Sequence, residues 1–128
     1  MHPEDAMKFY QARLALHDFN ALLPVIAEDA VFWFSDGDHK GIDAARRAFD
    51  AAWQAVENEV YTLEDLRWLA IGDSVASCIY NFHWKGMAAG EPVWGGGRGT
   101  TVLRKDAEGW KIVHEHLSPA NAFKTAEA

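Results

Sequence analysis

The sequence has 128 residues and a mass of 14.3 kDa, the length of one ordinary domain, and its 49% of hydrophobic-class residues is enough for one core without disulfide or structural metal. Twelve Lys and Arg against nineteen Asp and Glu give a formal charge of −7, a surface that repels phosphate backbones and anionic lipid, so neither nucleic acid nor membrane is an expected partner. The single cysteine, Cys78, excludes an intrachain disulfide and a Cys-based zinc site. Met1-His2-Pro3-Glu4-Asp5 is polar and acidic where a secretion leader needs basic residues before an apolar run, so a cytoplasmic location is expected. Six Trp, seven Phe and three Tyr are many for this length, and such side chains line ligand pockets and interfaces as well as cores.

Pro3, Glu4 and Asp5 suit a helix's first turn, and Ala6, Phe9, Tyr10 and Leu14 recur at three- and four-residue spacing, which predicts a helix to about His17. Asp18 is an N-cap for a second, shorter helix to about Glu28, bent where Pro24 removes a hydrogen bond. Val31 to Phe34 reads as a short strand and 35–41 as a polar loop. Asp43 caps a third helix whose Ala45, Phe49, Trp53 and Val56 form one apolar stripe. After Asn58 the period changes to two, giving strands at about 60–71, 74–86, 93–105 and 110–118, separated by Gly72-Asp73, by 87–91 and by 106–109. Helices followed by an antiparallel meander are the α+β pattern, with helices on one face of a curved sheet.

Alternation sorts each strand into two faces. In 74–86, Ala76, Cys78, Tyr80, Phe82 and Trp84 form the more apolar set and are assigned to the interior. In 110–118 the sets are Lys111, Val113, Glu115, Leu117 and Trp110, Ile112, His114, His116, Ser118; each mixes polar with apolar members, so periodicity leaves the inward face open.

The segment 97–105, Gly-Arg-Gly-Thr-Thr-Val-Leu-Arg-Lys, followed by 109–118, Gly-Trp-Lys-Ile-Val-His-Glu-His-Leu-Ser, resembles the last two strands of the nuclear transport factor 2-like superfamily. Within it the chain is most similar to SnoaL-like proteins and to the association domain of calcium/calmodulin-dependent protein kinase II. Ala27-Glu28-Asp29-Ala30-Val31, Gly41-Ile42-Asp43 and Gly72-Asp73 fall in the same order and spacing, so the resemblance covers nearly the whole chain. It implies a single domain over 1–128: a cone of three helices closed by a strongly curved sheet, open at one end into a pocket and dimeric through the sheet's outer face. The fold hosts isomerases, cyclases, dehydratases, hydrolases and binding modules, so it names no reaction. In the kinase association domain, cavity arginines occupy positions matching Phe82, Thr101 and Leu117, which implies that Glu115 points inward and that His114 and His116 point outward. With those arginines absent, the implied cavity is apolar and aromatic. Ketosteroid isomerase shares the fold; its two oxyanion donors align with Tyr10 and Thr101, and its general base aligns with Phe34.

Glu115, buried among aromatic rings, would have its pKa raised and serve as general acid or base, unless it forms a structural ion pair with Lys111 or Arg98. Tyr10 would donate to a ligand oxygen or be a satisfied core tyrosine, and Asp36 is a second candidate acid or base. Trp53, Tyr80, Phe82, Trp84, Thr101 and Leu117 are the expected substrate-binding residues. His114 and His116 have a spacing compatible with a metal but are read as interface elements, and the run from Gly95 to Gly99 lacks the Lys-Ser/Thr ending of a phosphate loop, so neither metal nor cofactor is expected. Glycines within that strand instead mark bends or close approach. The expectation is a small hydrophobic molecule in the cone, acted on by an isomerase- or cyclase-type enzyme or held by a non-catalytic module. Ile79, Asn81, His83, Trp110, Ile112, His114 and His116 are expected to form the outward face of a homodimer.

Overall fold

The computed structural model describes residues 2–120. Helix α1 spans Pro3–Leu14. Pro3 at its first position has no N–H to leave unsatisfied, and the Asp5 carboxylate accepts from the His2 N–H at 2.9 Å. Its face of Ala6, Met7, Tyr10 and Leu14 is buried. The helix stops three residues short of the expected end because His17 takes a left-handed backbone, φ 51°. Asp18 then caps the next segment by accepting from the Asn20 N–H at 3.1 Å. That segment, Phe19–Val25, is a 3-10 helix rather than an α-helix, since Pro24 cannot donate a further helical bond, and the chain turns extended at Ile26.

Strand β1 runs Ile26–Phe34 and β2 runs Gly37–Lys40, so the expected loop is a short hairpin pairing Phe34 with Gly37 and Val31 with Lys40. Helix α2, Gly41–Ala55, begins two residues before Asp43, which sits in its first turn, and it buries Ala45, Ala48 and Phe49. Strands β3 (Glu57–Ile71), β4 (Val75–Ala88), β5 (Glu91–Asp106) and β6 (Gly109–Pro119) follow. The sheet order is β2-β1-β6-β5-β4-β3, antiparallel throughout except that β1 lies parallel to β6. Three register shifts along β3, with Asp65 at φ 54° inside one of them, bend this outer strand around the cavity.

Two local devices decide which side chains enter the cone. Leu103 pairs with Ile112 and Val102 with His114, so Val113 is an extra residue bulged out of the ladder. The alternation therefore changes phase within β6: Trp110 and Ile112 point inward before the bulge, and Glu115 and Leu117 after it. Trp110 is 5% exposed and Ile112 0%, which corrects their assignment to the outward face; His114 and His116 alone of that strand's set remain there. On β5, Gly95, Gly97 and Gly99 lie directly across from Trp84, Phe82 and Tyr80. A Cβ at Gly95 would sit 2.6 Å from the Trp84 ring and one at Gly97 2.9 Å from the Phe82 ring, so the missing side chains are the space the three rings occupy.

Candidate active site

Between α1, α2 and the concave face of the sheet lies a cavity of about 520 Å³, open at one end. Tyr10 of α1 and Glu115 of β6 meet inside it. Phe49 and Trp53 of α2 form one wall, Phe82 and Trp84 of β4 another, and the end of β1 adds Phe34, with Ser35 and Asp36 in the turn that follows. Glu59, Tyr61, Leu117 and Pro119 complete the surround.

Glu115 is only 4% exposed, yet among the described residues no cation bonds it. Its Oε2 accepts from the Tyr10 hydroxyl and its Oε1 from the Tyr80 hydroxyl, each at 3.2 Å, and Tyr80 lies 2.7 Å from the Thr101 Oγ1. Burial pushes its pKa up to about 7, and the hydrogen bonds from Tyr10, Tyr80 and Thr101, which favour the ionised form, hold it from rising further. Tyr10, Tyr61 and Tyr80 are themselves pushed well above the usual phenol range, first by burial and then by the neighbouring carboxylate, so all three stay protonated donors. Cys78 is pushed up to about 12 by burial and by Glu115, which leaves it an inert thiol. Tyr80 can turn its one proton toward Glu115 or toward Thr101, so the network accommodates the carboxyl in either protonation state without orphaning a buried group.

Of the residues singled out from the sequence, Glu115, Tyr10, Asp36, Trp53, Phe82, Trp84 and Leu117 all line this one cavity. Tyr80 and Thr101 stand outside the lining and act on Glu115 by the hydrogen bonds just described. Asp36 is at the rim, exposed, and accepts from the His39 Nε2 at 2.8 Å. The ion pair weighed for Glu115 does not form with Lys111, whose ammonium donates to Glu108 at 2.7 Å. His114 donates its Nδ1 proton to the Val31 carbonyl at 2.7 Å, and both outward histidines meet the Trp33 ring edge-on, at 5.0 and 5.4 Å. Among the described residues no three His, Cys, Asp or Glu side chains come together as a metal site would need.

Among the lining residues that escaped the sequence reading are Glu59 and Tyr61. Tyr61 stacks on Phe82 at 5.8 Å and 11°. Glu59 is half-buried, and desolvation pushes its pKa up to about 6. Both lie on the inner face of β3 at spacing two; the strand begins at Glu57 rather than 60, and its alternation, had it been followed from there, carries the signal.

The profile of the SnoaL-like domain family matches residues 4–122. The chain belongs to the SnoaL-like domain family. Among solved structures, the SnoaL-like domain is similar to a nuclear transport factor 2-like superfamily protein from Salmonella enterica, with a TM-score of 0.82 at 16% identity, over 90% of this chain and 86% of that one. The CaMKII hub from S. rosetta gives a TM-score of 0.76 at 24% identity, over 91% and 92% of the two chains. The CaMKII association domain from C. elegans gives 0.70 at 18%, over 88% of each. At these identities the likeness is one of fold. No curated protein matches the chain.

Proposed function

We propose that this SnoaL-like domain binds a small, largely apolar molecule in its cone and exchanges a proton with it through Glu115, as an isomerase- or cyclase-type enzyme does. The observation that carries this reading is a buried carboxyl facing a ligand-sized cavity, bonded by two tyrosines and poised to titrate near neutral pH. A group with its pKa close to the working pH is both available as a base and strong enough to return the proton as an acid. With a ketone bound, the α C–H bond breaks toward the ionised Glu115 and its electron pair moves onto the carbonyl oxygen, where the Tyr10 hydroxyl donates to the enolate. Glu115 then returns a proton to carbon. By the sequence resemblance Phe34 aligns with the base of ketosteroid isomerase, so the proton carrier proposed here is the carboxyl on β6, and steroid-type isomerisation is expected to be slow or undetectable. The test is deuterium incorporation α to the carbonyl of cyclic ketones in heavy water, followed by proton NMR. The wild-type protein should accelerate exchange, and Glu115→Gln should lower that acceleration by about a hundredfold. Equal rates for the two proteins contradict the reading.

We infer also that two copies pair through the outer face of the sheet. Trp33, 46% exposed, stands there with His114, His116 and the half-buried Ile79, a surface that association would remove from water. Two of the similar structures are named as association or hub domains, which supports self-assembly as a second role of the same fold.

A further inference from the structure

Taking the cone as the binding site, the sign of charge around it narrows the ligand. The cavity is bordered by three carboxylates, Glu59, Glu115 and Asp36, and among the described residues no Lys, Arg or His belongs to its lining. His17 stacks on Trp53 and donates to the Glu59 carbonyl at 3.0 Å, and His39 holds Asp36, but both lie outside the lining. Glu115 is held by two tyrosines and Asp36 by His39 at the exposed rim, so the carboxylate left without compensation is the half-buried Glu59, and the usual partner of such a group is a cation. Glu59 has no side-chain hydrogen-bond partner among the described residues, and it lines the cavity together with the rings of Trp53, Tyr61 and Trp84. Tyr61 is two residues along the same strand, Trp84 is Tyr61's cross-strand partner, and Trp53 shares His17 as a neighbour. Aromatic faces carry the negative part of the ring quadrupole, so carboxylate and rings attract the same species.

We propose that the ligand is a cation, an organic amine whose ammonium group lies between Glu59 and the faces of Trp53, Tyr61 and Trp84, with its apolar body running inward toward Glu115. The cavity then discriminates in a definite order. An ammonium ion gains from both the carboxylate and the rings, a neutral alcohol of the same shape gains only apolar contact, and a carboxylate of the same shape is repelled. The formal charge of −7 acts in the same direction by concentrating cations near the mouth. Besides the three carboxylates, the titratable groups of the lining are Tyr10 and Tyr61, both held neutral by burial, so neither offsets the negative field.

The test uses three molecules that do not absorb with tryptophan: cyclohexylmethylamine, cyclohexylmethanol and cyclohexanecarboxylate, titrated at pH 8 against the intrinsic fluorescence of the wild-type protein and of Glu59→Gln. The amine should bind about tenfold more tightly than the alcohol, and the carboxylate most weakly. Glu59→Gln should reduce the amine's advantage to about threefold or less while leaving the alcohol's affinity unchanged. Binding of the alcohol as tightly as the amine, or an amine preference untouched by Glu59→Gln, overturns the cation proposal and leaves the proton-exchange reading to its own deuterium assay. If none of the three alters the fluorescence at millimolar concentration, the cone is not the binding site and both readings fall.

Discussion

At the scale of single residues, the informative feature is that Glu115 is buried at the expense of stability. Its folded pKa of about 7 lies above the ordinary value of 4.5, so between those values the folded state holds a proton that the unfolded state has released. Stability contributed by the protonated carboxyl is therefore full below about pH 4.5 and is lost as the pH rises to 7, a difference on the order of 3 kcal/mol. Glu59 adds a smaller effect of the same sign, lost by about pH 6. Urea unfolding across pH 4.5 to 8 should show this decline in the wild-type protein. Glu115→Gln, neutral throughout, should lack most of it, and a decline of equal size in the variant would show that other groups are responsible.

At the scale of elements, the cavity exists because two neighbouring strands divide the labour of filling it. β4 supplies large rings and β5 supplies glycine opposite each one, so the aromatic wall lies flat against the sheet. Gly97→Ala would force its new methyl against the Ser118 carbonyl as well as the Phe82 ring. Such overpacking should destabilise the protein by about 1–3 kcal/mol in urea unfolding, whereas Gly90→Ala, with open space around it but a left-handed backbone, tests conformational strain alone. These same elements mark what the sequence could disclose. The inward face of β4 was legible because its alternation is unbroken from Ala76 to Trp84. That of β6 was not, because one bulged residue at Val113 puts members of both alternating sets inside, and a bulge leaves no signature in a period-two pattern. Glu115 was placed inward only through the family resemblance. Asp36, a candidate acid or base from the sequence, lines the cavity, but its exposure and its bond to His39 follow from the β1–β2 hairpin, which the polar sequence at 35–41 disguises as a loop. Glu59 was hidden by a strand start drawn three residues late.

For the whole molecule, the sheet separates two surfaces: a concave one that closes over the cavity and a convex one carrying Trp33, Ile79, His114 and His116. Among the described residues no helix is long and apolar enough to cross a membrane. Light scattering at micromolar concentration should give the mass of a dimer, and Ile79→Glu, which puts a charge on the convex face, should give a folded monomer. A wild-type monomer would contradict pairing through this face. The inward removal of Trp110 and Ile112 leaves that face less apolar than the sequence suggested, so the dimer is expected to depend strongly on Trp33 and Ile79.

The proposed proton transfer depends most on the protonation of Glu115, and carbon-13 NMR of the side-chain carboxyls reads it without any ligand. Titrating the wild-type protein from pH 3 to 9 should reveal one carboxyl with a midpoint near 7, absent from Glu115→Gln. Tyr10→Phe, which deletes a hydrogen bond to the ionised form, should move that midpoint upward. A Glu115 resonance with its midpoint at the ordinary 4.5 would contradict the account, because a carboxyl fully ionised at neutral pH would be too weak a base, and too rarely an acid, to carry a proton for the bound molecule.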